Sequence, residues 1–201
     1  MKLILISCSG KKAPGGQADL PPSKLADYLS PAAKSVLLNA RRELADLLWE
    51  MPEHDLGFHD AGDKKYQPAF QRYQGFIYLY SDFYRLFPKF QGRVLIISAM
   101  YGLLDGGDYV RNYNLRLNDY LPTGLRVETF WKQHGLRDIL LDGISNAGVD
   151  EVHDLLPEKY RNLLSPWPAP GIKNHKSYTF PASGQGTGYE RPATLKSLLS
   201  K

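Results

Sequence analysis

The chain has 201 residues, 43% of them hydrophobic and 23% charged, which is the balance of a globular protein and excludes a disordered one. Its apolar runs are about one strand long, too short for the roughly 18 residues that cross a bilayer, and residues 1–4 lead straight into a strand, which predicts no signal peptide. The formal net charge of +4 mildly favours anionic partners, and a lone cysteine, Cys8, indicates a cytoplasmic location.

The first half of the chain predicts one strand and two helices. Residues 2–7 have the pattern of a strand buried on both faces, and residues 9–16 form a loop rich in glycine and lysine. Ser30 and Pro31 mark the start of a helix that is expected to end at Trp49. Its inward positions are expected to be Val36, Leu37, Ala40, Leu44, Leu47 and Leu48. After a polar surface loop at 54–65, a second helix at 66–87 is expected to carry an aromatic stripe of Phe70, Tyr73, Ile77, Tyr80, Tyr84 and Phe87.

The second half predicts further alternation of strands and helices. We expect a strand at 94–98, a loop through 108, an extended segment through 118, and a helix at 125–145 with Phe130, Ile139, Leu140 and Ile144 in the core. A strand at 151–155, a helix at 157–164, a rigid connector at 165–171, a strand near 177–180, a glycine loop at 183–188 and a final helix from 191 follow. This order predicts an α/β fold, a single compact domain over residues 1–201 with a mainly parallel sheet flanked by helices.

Small polar residues follow two of the predicted strands. Ser7, Cys8, Ser9, Gly10, Lys11 and Lys12 end the first, and Ser98, Ala99, Met100, Tyr101 and Gly102 end the second. Ligands of open α/β sheets sit outside the carboxyl ends of strands, and paired lysines would favour an anion there. Ordinary strand-to-helix turns also favour serine and glycine, so this alternative stays open. The site interpretation predicts that Ser7, Lys11, Ser98 and Tyr101 surround one cavity.

Other chemistry is weakly indicated. The sequence lacks a P-loop and a dinucleotide fingerprint, and its five histidines and one cysteine show no metal-ligand spacing, so neither a metal nor a cofactor is expected. Cys8 is either a thiol nucleophile or a small packing residue. The aspartates Asp105, Asp108 and Asp119 lie near Arg111 and Arg116, where they could act as acid or base or form structural ion pairs.

Several segments together resemble the YaaA family of peroxide-stress proteins. Residues 96–104, Ile-Ile-Ser-Ala-Met-Tyr-Gly-Leu-Leu, are similar to the family's SGLYGLL stretch, and residues 113–115 to its PYRLEM segment. Residues 5–7, 69–78, 130–131 and 158–160 resemble further family segments in the same order. The resemblance implies a compact α/β fold, a cytoplasmic protein, and DNA binding linked to oxidative stress. It also implies a helix–hairpin–helix-like segment between the first strand and about Trp49, whose cations here are Lys24, Lys34, Arg41 and Arg42.

The chain departs from the family pattern at several positions. Cys8 stands where the family has proline, and the family's lysine aligns with Gly10 or Lys11. Asn114 and Arg116 replace an arginine and a glutamate, so a function that needs that pair is not carried over, although Arg111 or Arg116 could supply the cation.

Two function hypotheses follow. In the first, the protein binds DNA through phosphate contacts, with an anion-binding set of Ser7, Ser9, Lys11, Lys12, Arg41, Arg42, Arg111 and Arg116. In the second, it is an enzyme on a nucleotide, nucleoside or modified base, such as an N-glycosidase-type hydrolase, with Ser98, Tyr101 and Asp119 as catalytic residues. A stress-associated partner protein without catalysis remains a third alternative.

Overall fold

In the computed structural model, residues 1–49, 65–170, 172, 174–180 and 187–201 are described. The strands within these ranges are β1 (Lys2–Ser7), β2 (Gln67–Pro68), β3 (Arg93–Ser98), β4 (Gly102–Asp105), β5 (Tyr109–Val110), β6 (Glu151–Asp154) and β7 (His175–Ser177). The helices there are α1 (Pro31–Trp49), α2 (Ala69–Arg72), α3 (Phe76–Tyr80), α4 (Phe83–Leu86), α5 (Val127–Gln133), α6 (Leu136–Asn146), α7 (Glu158–Leu163) and α8 (Glu190–Leu199).

The described part of the chain contains a five-stranded sheet in the order β4-β3-β1-β6-β7. β1 is central and pairs in parallel with β3 and β6, so that Ile4 lies between Val94 and His153. Only β4 runs antiparallel within this sheet as described. Helices flank the sheet, and the four residues from Leu3 to Ile6 are fully buried on both of its faces. The prediction of an α/β domain with a mainly parallel sheet is therefore confirmed, because strands buried on both faces need helices to cover them.

The first strand and the first helix match their predicted bounds. Ser30 caps α1, because its Oγ accepts a hydrogen bond from the Ala33 N–H at 3.2 Å. The N–H groups in the first turn of a helix have no acceptor within the helix, and this bond satisfies one of them. The inward face of α1 consists of Leu37, Ala40, Leu44 and Leu48, which recur at three- and four-residue steps. The prediction that Val36 faces inward is wrong, since 45% of its surface is exposed. Leu47, also predicted to face inward, is only partly buried.

The helix–hairpin–helix segment implied by the family resemblance is wrong for this chain. Residues 8–49 are all described, and they contain α1 preceded by a single turn of 3-10 helix at Leu25–Asp27. A second helix that could form a hairpin with α1 is absent from this range. The role of the cations on α1 therefore follows from their own exposure and contacts, and not from a helix–hairpin–helix motif.

The single helix predicted at 66–87 is also wrong. The chain instead forms strand β2 and three helices of four or five residues, α2, α3 and α4. Extended backbone at Tyr73 and Gly75 ends the first turn, and Asp82 takes a left-handed conformation with φ of 54°, which no continuous helix permits. The aromatic stripe does not lie on one face, because Tyr73 is buried whereas Tyr80 and Tyr84 are exposed.

The second half follows its predicted order with local differences. The helix predicted at 125–145 is divided into α5 and α6 at Gly135, whose φ is +66°, but its predicted core residues are buried as expected. The loop predicted after residue 98 contains strand β4, and the last strand lies at His175–Ser177 rather than 177–180. The predicted loops at 54–65 and 183–188 lie largely outside the described residues. The described helices include none that is both long enough and apolar enough to span a membrane.

Candidate ligand site

The ends of β1 and β3 meet in a buried network of hydroxyl groups. The Tyr113 hydroxyl hydrogen-bonds to the Tyr73 hydroxyl at 2.8 Å and to Ser98 Oγ at 2.9 Å. Ser98 Oγ also accepts a hydrogen bond from the Tyr101 N–H at 3.1 Å. Burial raises the pKa of Tyr73 and of Tyr113 well above the ordinary tyrosine value, so both phenols are neutral hydrogen-bonding groups at physiological pH.

Lys12, in the loop that follows β1, contacts this hydroxyl network. Its Nζ donates to the Ser9 carbonyl oxygen at 2.9 Å and lies 3.8 Å from the centroid of the Tyr113 ring, a cation–π contact. Burial lowers the pKa of Lys12 to about 8, an effect that the charge of Arg72 reinforces and Cys8 opposes. Lys12 and Ser98, one from each strand-end loop, thus both contact Tyr113, and it is Lys12 rather than Lys11 whose amine does so.

The other groups at the end of β1 have structural partners. Ser9 Oγ accepts the Lys11 N–H at 3.1 Å and donates to the Lys11 carbonyl oxygen at 2.8 Å, which closes the turn. The Ser7 carbonyl oxygen accepts the Tyr78 hydroxyl at 2.7 Å, and Cys8 Sγ lies 3.5 Å from the Tyr160 hydroxyl. Lys11 itself is exposed.

A buried arginine that the sequence analysis did not single out fixes the glycine loop at 9–16. Arg72 is fully buried, and its guanidinium donates to the backbone carbonyl oxygens of Ala13, Gly15 and Lys65, the last two at 2.8 Å. A planar guanidinium can satisfy several carbonyl groups at fixed angles, which suits it to this role. No local sequence pattern marks this role, because Arg72 lies inside the helix predicted at 66–87.

A cavity of about 620 Å³, here called the tyrosine–arginine cavity, lies between residues 20–29, α1 and the segment 101–111. Its polar walls include Tyr66, Tyr101, Lys34, Arg41 and Arg111. Its apolar walls are formed by Leu20, Pro21, Pro22, Leu25, Ala26, Leu29, Leu37, Leu38 and Leu104. A concave surface that is mostly apolar and carries a few polar groups is typical of small-molecule sites.

Tyr101 connects the two arginines of this cavity. The backbone N–H of Arg111 donates to the Tyr101 hydroxyl at 3.1 Å, and the Arg111 guanidinium stacks over the Tyr66 ring at 4.8 Å. Arg41 donates from Nε to the Tyr101 carbonyl oxygen at 2.9 Å and from Nη2 to the Leu103 carbonyl oxygen at 2.6 Å. Burial lowers the pKa of Arg41, but an arginine in a protein keeps its charge.

Two buried aspartates hold one wall of the cavity. Asp108 Oδ1 accepts from Ser23 Oγ at 3.0 Å and from the backbone N–H groups of Lys24 and Leu25 at 2.5 and 3.3 Å. Its Oδ2 accepts the Asp105 N–H at 2.9 Å. Asp105 accepts the Tyr28 hydroxyl at 2.7 Å, and burial raises the pKa of this carboxyl. These carboxylates therefore anchor residues 23–28 to the end of β4.

The predicted site residues are thus divided among several environments. Of the four expected around one cavity, Tyr101 lines the tyrosine–arginine cavity, whereas Ser98 is fully buried in the hydroxyl network. The Asp119 carboxylate accepts the Arg116 N–H at 2.7 Å and so closes the turn at 116–119. Among the predicted phosphate contacts, the side chains of Lys11, Arg42 and Arg116 are exposed.

The end of β6 contributes a third polar cluster. Asp154 is fully buried, and its carboxylate accepts from Arg161 Nε at 2.8 Å, Trp167 Nε1 at 3.1 Å and the Leu156 N–H at 2.8 Å. Arg161 also donates to the Tyr178 carbonyl oxygen at 2.7 Å. This cluster joins α7 and the segment after the proline-rich connector to the sheet. The polar side chain of Asp154 at the end of β6 therefore has a structural role.

The family model described as "Peroxide stress protein YaaA" matches residues 3–185, which is most of the chain. No curated protein gives a significant match.

Proposed function

The chain belongs to the YaaA family of peroxide stress proteins, and we propose that it acts in the cytoplasm by binding a small anionic ligand of nucleotide size in the tyrosine–arginine cavity. The observation that carries the proposal is the placement of Arg111 and Arg41 in one apolar-walled cavity, joined through Tyr101. A nucleotide-like anion is the kind of ligand that the sequence suggested, and we propose this cavity as its binding site.

The charge of the cavity favours an anion. Lys34, Arg41 and Arg111 line it, against the acidic residues Asp27 and Asp108. Asp108 is 2% exposed and its carboxylate accepts hydrogen bonds from four groups of the protein, and the three cations of the cavity outnumber its two carboxylates. Arginine forms paired, charge-assisted hydrogen bonds with phosphate and carboxylate, which makes such groups the preferred contacts.

The remaining walls suit the rest of a nucleotide-sized molecule. The Tyr66 ring and leucine side chains such as Leu37 and Leu38 offer apolar surface on which a planar ring can pack. The volume of about 620 Å³ falls within the range of roughly 300–1,000 Å³ that is usual for small-molecule sites. A nucleoside phosphate or an aromatic carboxylate meets both requirements.

Ligand-induced stabilisation tests the proposal. A panel of nucleoside mono- and diphosphates, the matching uncharged nucleosides, and aromatic carboxylates would be screened by thermal shift, followed by calorimetry. We expect a phosphorylated or carboxylated member to raise the melting temperature, and Arg111→Gln to weaken its binding by about tenfold or more, because a charged hydrogen bond contributes about 1.5–3 kcal/mol.

The matched control is Arg42→Gln, which removes an exposed arginine of α1 beside Arg41. This variant should bind the ligand like the parent chain. Equal stabilisation by the uncharged nucleoside, or equal loss in both variants, would contradict the proposed anion site.

DNA binding is a second candidate, favoured by the exposure of Lys11, Arg42 and Arg116 among the predicted phosphate contacts. Lys24 and Lys34 are exposed on the same half of the chain. Arg41 supports this candidate less, since its guanidinium donates to two backbone carbonyl groups. Duplex DNA that fails to bind even at low salt would exclude this candidate without affecting the ligand proposal.

A further inference from the structure

A second cavity shares a wall with the tyrosine–arginine cavity. It has a volume of about 620 Å³ and is here called the glutamine cavity, because Gln17, Gln67 and Gln71 line it. Tyr66 and Tyr109 line both cavities. We propose that the glutamine cavity binds the second half of a dinucleotide, a molecule in which phosphate groups join two nucleosides. This inference rests on the proposed function, since the other half occupies the tyrosine–arginine cavity.

The shared wall is fixed by backbone pairing. The Gln17 N–H donates to the Tyr66 carbonyl oxygen at 2.9 Å, and the Tyr66 N–H donates to the Gln17 carbonyl oxygen at 2.7 Å. Gly16 allows this close approach, because a Cβ at that position would lie 2.5 Å from the Tyr66 carbonyl oxygen. Tyr109 is held through the pairing of β5 with β2, in which it lies opposite Pro68. A ligand that crosses this wall therefore meets a surface that is already formed, which lowers the cost of binding.

A cation lies on each side of the wall. The Arg111 guanidinium stacks over the Tyr66 ring at 4.8 Å and belongs to the tyrosine–arginine cavity. Lys24 lines the glutamine cavity, where its Cγ lies 3.4 Å from the position that a Cβ on Gly107 would occupy. The described lining of the glutamine cavity includes no acidic residue. A phosphate linkage that passes over Tyr66 is therefore attracted from both sides.

The other groups of the glutamine cavity suit a nucleobase. Gln17 and Gln71 are exposed, so their amides are accessible to a ligand. An amide side chain donates and accepts at once, which matches the amino group and ring nitrogen at one edge of adenine. Phe70 and Tyr109 also line this cavity and offer aromatic surface for packing of the base. The second half of the ligand is therefore expected to be an adenine nucleoside.

The size of the two cavities favours a dinucleotide over a mononucleotide. Each has a volume of about 620 Å³, within the range of roughly 300–1,000 Å³ that is usual for small-molecule sites. A mononucleotide fills one of them and leaves the other to water. A dinucleotide should consequently bind more tightly than either of its halves.

Calorimetry with diadenosine diphosphate and with ADP tests the inference on the full chain. ADP has the same phosphate groups and more negative charge but lacks the second nucleoside, so tighter binding of the dinucleotide cannot come from charge. We expect the dinucleotide to bind at least about tenfold more tightly than ADP, because base stacking and an amide hydrogen bond each change affinity by about fivefold or more.

Gln71→Ala tests the glutamine cavity, because Gln71 is exposed and does not line the tyrosine–arginine cavity. This variant should bind the dinucleotide about fivefold more weakly and bind ADP like the parent chain. Gln133→Ala is the matched control, since Gln133 is an exposed glutamine of α5 that lines neither cavity, and both affinities should stay unchanged.

The outcomes separate this inference from the proposed function. Binding of ADP that depends on Arg111, together with a dinucleotide that binds no more tightly, would overturn the second half-site and leave the proposed function intact. A loss in Gln71→Ala that is equal for both ligands would overturn it in the same way. If neither ligand binds, the proposed function fails for nucleotides and this inference fails with it.

Discussion

Asp108 is the residue on which one wall of the tyrosine–arginine cavity most depends. It lies 84 positions along the chain from Lys24, whose N–H it accepts at 2.5 Å, and it also binds Ser23 and Leu25. A buried carboxylate can satisfy several backbone donors at once, which a neutral side chain of the same size cannot. Asp108 thus holds residues 23–25 of this wall, while Asp105 holds Tyr28.

Replacement of Asp108 should therefore be costly. We expect Asp108→Ala to lower the free energy of unfolding by roughly 2–4 kcal/mol, because it leaves buried N–H groups without an acceptor. Urea denaturation measures the change. Asp27→Ala is the control, since Asp27 is an exposed aspartate on the same wall and its removal should change stability by less than about 0.5 kcal/mol. A similar loss in both variants would show that the wall is not anchored by Asp108.

The sequence pointed to Ser98, Tyr101 and the lysine pair, because small polar residues after buried strands are a local signal. It did not identify Tyr73 or Arg72 as partners of this region. Both lay in a segment where the helical spacing of aromatic residues suggested ordinary packing. Their roles come from contacts across 40 and 59 positions, which no local pattern reports.

Among the elements, α1 was predictable because its own ends specify it. Ser30 and Pro31 begin the helix, and the backbone N–H of Ser30 donates to Asp142 Oδ2 at 2.8 Å, which joins the helix start to α6. The apolar residues that follow keep a helical period up to Trp49. The residues that begin α1, its helical period and its contact with α6 all favour the same helix.

The cap of α1 gives a prediction at this scale. Ser30→Ala should lower the free energy of unfolding by about 1 kcal/mol, since the Ala33 N–H loses its acceptor. Ser35→Ala, at an exposed position inside the same helix, should be neutral or slightly stabilising because alanine has the higher helix propensity. Chemical denaturation of both variants would check this. Equal effects would mean that the Ser30 side chain does not act as a cap.

The segment 66–87 could not be predicted in the same way. Its aromatic residues keep helical spacing across two breaks, and its start at 67–70 is hydrogen-bonded to distant parts of the chain. β2 pairs with β5, and the N–H groups of Ala69 and Phe70 donate to the carbonyl oxygens of Asp108 and Gly106 at 2.7 and 2.9 Å. Tertiary hydrogen bonds of this kind override local periodicity.

At the scale of the whole molecule, the number of exposed cations that contact phosphates sets how steeply DNA binding depends on salt. If Lys11, Arg42 and Arg116 each contact a phosphate, the logarithm of the affinity should fall with the logarithm of salt concentration with a slope of about −3. Arg42→Ala should reduce that slope by about one, as measured by fluorescence anisotropy across a salt series. Asn39→Ala, on an exposed position of the same helix, should leave it unchanged. A slope that is insensitive to Arg42 would remove this arginine from the interface.

At the same scale, the fold class was predictable and the strand order was not. Two strands buried on both faces, separated by helices, indicate a parallel sheet. They do not say that β1 lies between β3 and β6, or that β4 turns back to run antiparallel beside β3. Gly102, with φ of +68°, makes that reversal possible, but a glycine at this position fits an ordinary loop equally well.

The central place of β1 also bears on how the protein is made. β1 finds one neighbour in β3 and the other only in β6, where Lys2 pairs with Glu151. At a synthesis rate of about 5–20 residues per second, β1 leaves the ribosome roughly 7–30 seconds before its second neighbour has been translated. During that interval a strand of Leu3, Ile4, Leu5 and Ile6 is exposed to other nascent chains, so chaperones that shield apolar segments should matter most at this stage of biosynthesis.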